Sequence, residues 1–178
     1  MATHDLIGHA GVRSDIARAH ATGRLPQVLL VTGEEGVGKQ RFALWVAELA
    51  LCKEATGQPC GRCTGCRRVR GLAHPDLHWF VPVPRPKSGD PDKQLEEIRE
   101  ALGDILATRR EKPGYLPADG MAMHGVASAR LILKTAGLTT VEGGRRVIII
   151  GHADRLVPQE ASPEAANALL KFLEEPPA

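Results

Sequence analysis

Four cysteines, Cys52, Cys60, Cys63 and Cys66, follow one another with the spacing C-x7-C-x2-C-x2-C. Four thiolates grouped in this way satisfy a closed tetrahedral Zn²⁺ site, which holds a fold together and leaves no open position for chemistry. Gly61 and Gly65 stand between the ligands, where tight knuckles must turn sulfurs towards one metal. Free buried thiols and an iron–sulfur cluster are the alternatives for the same four residues, and disulfides are disfavoured in a cytosolic chain. His74 lies close by. With four cysteines filling the shell, it reads as a turn residue.

A second motif precedes the cysteines. Gly33, Glu34, Glu35, Gly36, Val37, Gly38, Lys39 and Gln40 spell GEEGVGKQ. A phosphate-binding loop reads G-x-x-x-x-G-K followed by Ser or Thr, and its backbone N–H groups converge on phosphate oxygens at a helix N-terminus. Lys39 would neutralise the outer phosphates. The hydroxyl that should bind Mg²⁺ is replaced by Gln40, an amide on a longer stem. The matching test lies at the end of the later apolar run VIIIGHAD, where a hydrolysing enzyme places acids for the metal and the attacking water. Gly151 and His152 occupy those positions, and the first acid, Asp154, lies beyond them. The cradle for phosphate is kept and the metal chemistry is missing. The competing reading is a glycine turn that never meets nucleotide.

Charge is uneven near the cysteines. Lys53, Arg62, Arg67, Arg68 and Arg70 stand against one acid, Glu54, within residues 52–71. Such a patch suits phosphates or an acidic partner, although a solvated face is the commoner meaning of such a run.

These residues need elements to position them. The spacing predicts a helix over 11–22, with Val12, Ile16 and Ala19 on one face. Residues 27–33, QVLLVTG, read as a buried strand that ends in glycine. Phe42, Trp45, Val46 and Leu49 then recur at helical spacing, so the motif sits in the order strand, glycine-rich loop, helix. Residues 76–83 form a second strand candidate and 84–91 a linker. An exposed amphipathic helix follows, with Leu95, Ile98, Leu102 and Ile105 as its stripe. A less ordered stretch leads to the helix VASARLILKTAGL, a turn at EGG, and the buried strand RRVIIIG. In the last helix Ser162 is the expected cap, Pro163 the first residue and Pro176 the stop. Strands separated by helices imply a parallel sheet and the α/β class.

The chain has 178 residues, 43% hydrophobic and 25% charged, with a net charge of +2. That suits one domain with a real core. No apolar run reaches the roughly 18 residues of a membrane span. The start MATHDLIGHAG lacks the basic and apolar regions of a secretory signal, so a cytoplasmic location is expected.

Taken together, GRLPQVLLVTGEEGVGK, LC…PCGRCTGC, HPDLHW, RRVIIIGHADRL and AANALLKFLEEPP resemble the ATPase-like subunits of the bacterial DNA polymerase III clamp loader, the AAA+ proteins gamma/tau and delta-prime. The resemblance covers residues 5–83 and 125–177. It implies a P-loop NTPase (AAA+) fold, a parallel sheet with helices on both faces, carrying an inserted zinc module at 52–74 and a probable surface insertion at 84–124. Motor subunits keep the hydroxyl and the strand-end acids, so Gln40, Gly151 and His152 place the chain nearer the delta-prime branch. The resemblance therefore implies a non-hydrolysing subunit with structural Zn²⁺, holding ATP or ADP without turnover. Its implied partners are the gamma/tau and delta subunits and, through the complex, the sliding clamp and primer-template DNA. In the family a sensor strand, a Ser-Arg-Cys motif, a lid and a collar follow LLKFLEEPP, so the chain reads as the N-terminal part of a longer protein. The sensor strand lies between the P-loop strand and the strand at 147–150, so those two are expected not to pair. Two other functions remain: an active, divergent AAA+ ATPase using Asp154, and a zinc-stapled nucleic-acid-binding module using Arg62, Arg67, Arg68 and Arg70.

Overall fold

The computed structural model describes residues 6–112, 120–142, 144–156 and 163–175. Its elements run α1 (Ala10–Ala21), α2 (Lys39–Ala50), α3 (Thr64–Arg70), β1 (Leu77–Phe80), α4 (Pro91–Glu111), α5 (Val126–Ala136), β2 (Val147–Ile150), a 3-10 turn (Ala153–Leu156) and α6 (Glu164–Glu174). The chain divides into two compact units, one of residues 1–78 and 140–149, the other of 79–139 and 150–178.

In the first unit α1 packs on α2 and α2 on α3. Phe42, Trp45, Val46 and Leu49 follow the i, i+3, i+4, i+7 rule that gathers apolar side chains on one helical face. They are buried with Ala17, and Leu6, Ile16, Val31 and Ala55 pack around them. The Phe42 and Trp45 rings lie 5.9 Å apart, tilted by 31°. On α1 the buried residue is Ala17, and Val12, expected on the inner face, is 54% exposed.

In the second unit Leu95, Ile98 and Leu102 of α4 are buried, and α4 packs on α5 as α5 does on α6. Asp90 caps α4, its carboxylate accepting from Asp92 N–H at 2.9 Å and Lys93 N–H at 3.0 Å. Pro91 opens the helix, where its missing N–H costs nothing. The segment expected as a surface insertion thus contributes a helix with a buried face. Ile105 is only partly buried. Pro163 is the N-cap of α6 rather than its first residue, and the expected cap Ser162 and stop Pro176 lie outside the described residues.

Among the described residues β1 and β2 form a two-stranded sheet. Val147 N–H donates to Asp76 O at 2.9 Å and Gly151 N–H to Phe80 O at 2.8 Å. Both strands advance by the same step between these bonds, which makes the pair parallel. Val83 and Met123 add an isolated antiparallel bridge.

The expected strand over 27–33 is the main correction. Those residues form no strand, and Val28, Leu29 and Leu30 are 42%, 38% and 81% exposed. A strand exists through its ladder, and no described strand is hydrogen-bonded to this segment. The expectation that strands at 28–31 and 147–150 do not pair is left without a test, because residues 28–31 form no strand.

Candidate metal centre and phosphate loop

The cysteine cluster, a candidate metal site, is built from a loop and the start of α3. Cys63 is the N-cap of that helix in an extended conformation, and its sulfur accepts from Cys66 N–H at 3.4 Å. Cys60 Sγ accepts from Cys63 N–H at 3.3 Å and Cys52 Sγ from Cys60 N–H at 3.4 Å. Gly65 is required by contact: a Cβ there would lie 2.4 Å from Leu51 O.

All four sulfurs lie within 4.8 Å of one another. Cys52 and Cys63, and likewise Cys60 and Cys66, are 3.9 Å apart. Zn–S bonds of about 2.3 Å place tetrahedral sulfurs about 3.8 Å apart, whereas a disulfide needs about 2.05 Å. The four residues therefore fit one tetrahedral ion. Burial pushes the Cys52 and Cys66 thiols up. At Cys63 burial acts the same way, but N–H groups of Cys66 and Lys53 outweigh it and hold the thiol down at about 6. Backbone donors aimed at sulfur favour the thiolate that a metal requires.

A carboxylate pair that spacing did not reveal surrounds this module. Asp76 is fully buried, accepting from Val141 N–H at 2.7 Å and Glu142 N–H at 3.0 Å. Glu142 in turn takes Lys53 Nζ at 2.9 Å and Arg68 as well. Hydrogen bonding to Lys53 is the main reason its carboxyl lies below the ordinary value. His74 is a buried turn residue, Nδ1 accepting from Asp76 N–H at 3.1 Å, and it is not one of the four grouped ligands. Arg70 pairs with Glu48 at 2.9 Å and Arg62 with Glu54 at 3.5 Å. Four of the five cations counted in the sequence patch thus have acidic partners.

The glycine-rich loop at residues 33–40 lies in the same unit. Gly33, Gly36 and Gly38 all have positive φ, and Gly38, at 95°, is the N-cap of α2. No side chain caps that helix, so its first N–H groups are directed at the loop opening. Lys39 Nζ donates to Gly33 O at 2.8 Å and Glu34 O at 2.7 Å. His9 Nε2 lies 2.9 Å from Val37 O. Of the loop residues Gly33 to Gln40, Lys39 thus folds back onto Gly33 and Glu34.

Gly151, His152 and Asp154 belong to the second unit. Gly151 is buried, and a Cβ there would lie 3.1 Å from Trp79 Nε1 and 3.5 Å from Val81 Cγ1. Arg109 of α4 lies over the Trp79 ring at 4.4 Å. His124, 1% exposed, donates from Nε2 to Gly151 O at 2.7 Å, and burial lowers its imidazole below the usual value. His152 adopts φ 53° and Asp154 is exposed in the 3-10 turn. A side chain at residue 151 would thus press on the Trp79 indole. Arg109 and His124 were marked by no motif, and Trp79 entered only as the last residue of HPDLHW, with no role given to it.

Residues 8–178 match the model of the family described as DNA polymerase III, delta subunit, and the chain belongs to that family. It is similar to the DNA polymerase III subunit delta' of Bacillus subtilis, 29% identical over 86% of this chain and 34% of that protein. The Yersinia pestis subunit delta' is 28% identical over 89% of the chain and 35% of its own length. The Salmonella typhimurium subunit tau is 27% identical over 98% of the chain and 21% of its length. The chain spans about a third of the length of the delta' relatives. The helix-rich α/β architecture with a small parallel sheet suits a clamp-loader AAA+ domain. Among the described residues no helix is long and apolar enough to cross a membrane.

Proposed function

We propose that this chain is the AAA+ portion of a delta-prime-like, non-hydrolysing subunit of the clamp loader, which helps load the sliding clamp on primer-template DNA in the cytoplasm. The observation that carries the reading is the strand end at Gly151. A metal-assisting acid there would need space that Trp79 fills, and Gln40 removes the Mg²⁺ hydroxyl of the loop. The three positive-φ glycines and Lys39 support ATP or ADP binding without turnover. The gamma/tau and delta subunits are the proposed partners. Zn²⁺ on Cys52, Cys60, Cys63 and Cys66 is proposed as a structural cross-link for residues 52–74.

The test is hydrolysis by the assembled clamp loader with Lys39→Ala introduced only in this subunit. The expected turnover equals that of the parent complex after correction for assembly. Turnover by the purified chain that Lys39→Ala abolishes would refute the proposal and favour an active ATPase.

A further inference from the structure

Residues 52–63 carry three of the four sulfurs and form neither helix nor strand, so their shape depends on ties to other parts of the first unit. Two residues beside the ligands make such ties to one carboxylate. Lys53 follows Cys52, and its N–H donates to the Cys63 sulfur. Its Nζ lies 2.9 Å from Glu142 Oε2. Arg68 stands two residues past Cys66 on α3 and pairs with Glu142 Oε1. One oxygen of Glu142 thus holds the segment of the first sulfur, and the other holds the helix of the last.

Glu142 is itself held in place. The N–H groups of Glu142 and Val141 donate to the two carboxylate oxygens of buried Asp76, at 3.0 Å and 2.7 Å. The main-chain oxygen of Asp76 accepts from Val147 N–H at the start of β2. A continuous series of bonds therefore runs from β2 through Asp76 and the bend at 141–142 to Lys53 and Arg68. Every residue in it belongs to the first unit.

Charge and position act in opposite directions here. A carboxylate near four thiolates repels them, and its loss would free two cations to attract them. The Lys53 and Arg68 side chains are, however, 60% and 47% exposed. Water and salt leave such cations little pull on the sulfurs once they are released. Loss of position is the larger effect, since residues that orient metal ligands are commonly worth about 10–100-fold in metal affinity.

We infer that Glu142 is a positioning residue of the cysteine metal centre, tying Lys53 and Arg68 to the bend before β2, so that metal occupancy and the order of that bend are coupled. The inference rests on the structural Zn²⁺ proposed above. Such coupling is reciprocal. If the carboxylate strengthens zinc binding, zinc must in turn stabilise the bend.

The test combines zinc content of the purified chain, zinc affinity by competition with a chromophoric chelator, and hydrogen exchange of the Val141 and Glu142 amides. Glu142→Gln keeps the shape and removes the charge, and it is expected to weaken zinc binding about tenfold. Removing zinc from the parent chain is expected to speed exchange at both amides. In a chain already carrying Lys53→Gln and Arg68→Gln, adding Glu142→Gln should change affinity by less than about twofold, because the ties it breaks are gone. Leu102→Ala in α4, a core truncation in the second unit, is expected to lower stability and leave zinc affinity unchanged. That control separates positioning from general loss of stability. Where Glu142→Gln does not fold, Lys53→Gln and Arg68→Gln carry the test, each expected to weaken zinc binding. A parent chain without zinc overturns the Zn²⁺ reading and this inference with it. One zinc per chain with parent affinity in Glu142→Gln, tighter binding in that variant, or amide exchange indifferent to zinc overturns this inference alone.

Discussion

A Cβ atom added at residue 151 would meet the Trp79 indole nitrogen at 3.1 Å, with Val81 behind it at 3.5 Å. The indole has little room to yield, because Arg109 covers its face and Trp79 is 6% exposed. Gly151→Ala is therefore expected to destabilise the protein by about 1–3 kcal/mol, the usual cost of overfilling a packed site. Gly151→Asp is expected to cost more, since it also buries a carboxylate. Denaturant unfolding of both variants, alone and combined with Trp79→Phe, measures this. The Phe background should recover part of the loss, and strictly additive effects would show that the two residues do not compete for space. Asp76 supplies a second prediction. Burial by itself would raise its carboxyl, but the N–H groups of Val141 and Glu142 outweigh that and hold it below the ordinary value. A group lowered on folding contributes stability above its unfolded value, about 3.9, and that contribution is lost as pH falls through the lower folded value. Asp76→Asn can accept at one atom only, so it leaves Val141 N–H or Glu142 N–H facing an amide. It is expected to cost about 1.5–3 kcal/mol at pH 7 and to flatten the acid limb of stability, read by urea unfolding between pH 2 and pH 7. The grouping of the four cysteines was legible because residue type and short spacing define it. Trp79, His124 and Glu142 were not, because each acts on a partner distant in sequence, 74 positions for Arg68 and Glu142.

Helix α3 has seven residues, and an isolated helix needs about 12–15 to be marginal in water. Its N-cap and first turn supply two of the four sulfurs. Metal removal should therefore unravel α3 together with residues 52–63, while α2 keeps its own apolar face. One zinc per chain by elemental analysis, and a partial loss of helical circular dichroism on chelation, are the expected results. Cys66→Ser should reproduce the loss without chelator. A chain that holds no zinc, or whose helicity ignores its removal, contradicts this account. The elements show where sequence patterning stops being sufficient. α2, α4 and α5 were legible because a helix makes its hydrogen bonds internally and its buried face repeats locally. The apolar run at 27–33 had the composition of a strand, yet strand bonds come from a neighbour, and no described neighbour provides them.

For the whole molecule, the net charge of +2 understates how fully the local basic run is compensated. Lys53 and Arg68 meet Glu142, Arg70 meets Glu48, and Arg62 meets Glu54. Few of these cations can release counterions from DNA. The chain by itself is therefore expected to bind oligonucleotides weakly, with a shallow dependence of log K on log salt. Fluorescence anisotropy between low and physiological salt checks this, and a slope steeper than about −3 would favour the nucleic-acid-binding reading.

The carboxylates of Asp76 and Glu142 also impose an order in time. The sulfurs come together within residues 52–66, a loop that closes at small entropic cost, whereas Asp76 must wait for partners 65 and 66 positions later. During synthesis the metal module can be complete while the second carboxylate is still untranslated. A ribosome-bound chain arrested with residue 80 outside the exit tunnel should already take up zinc. Arg68 would then be held in place before Glu142 arrives, so the late-made turn closes onto a finished surface.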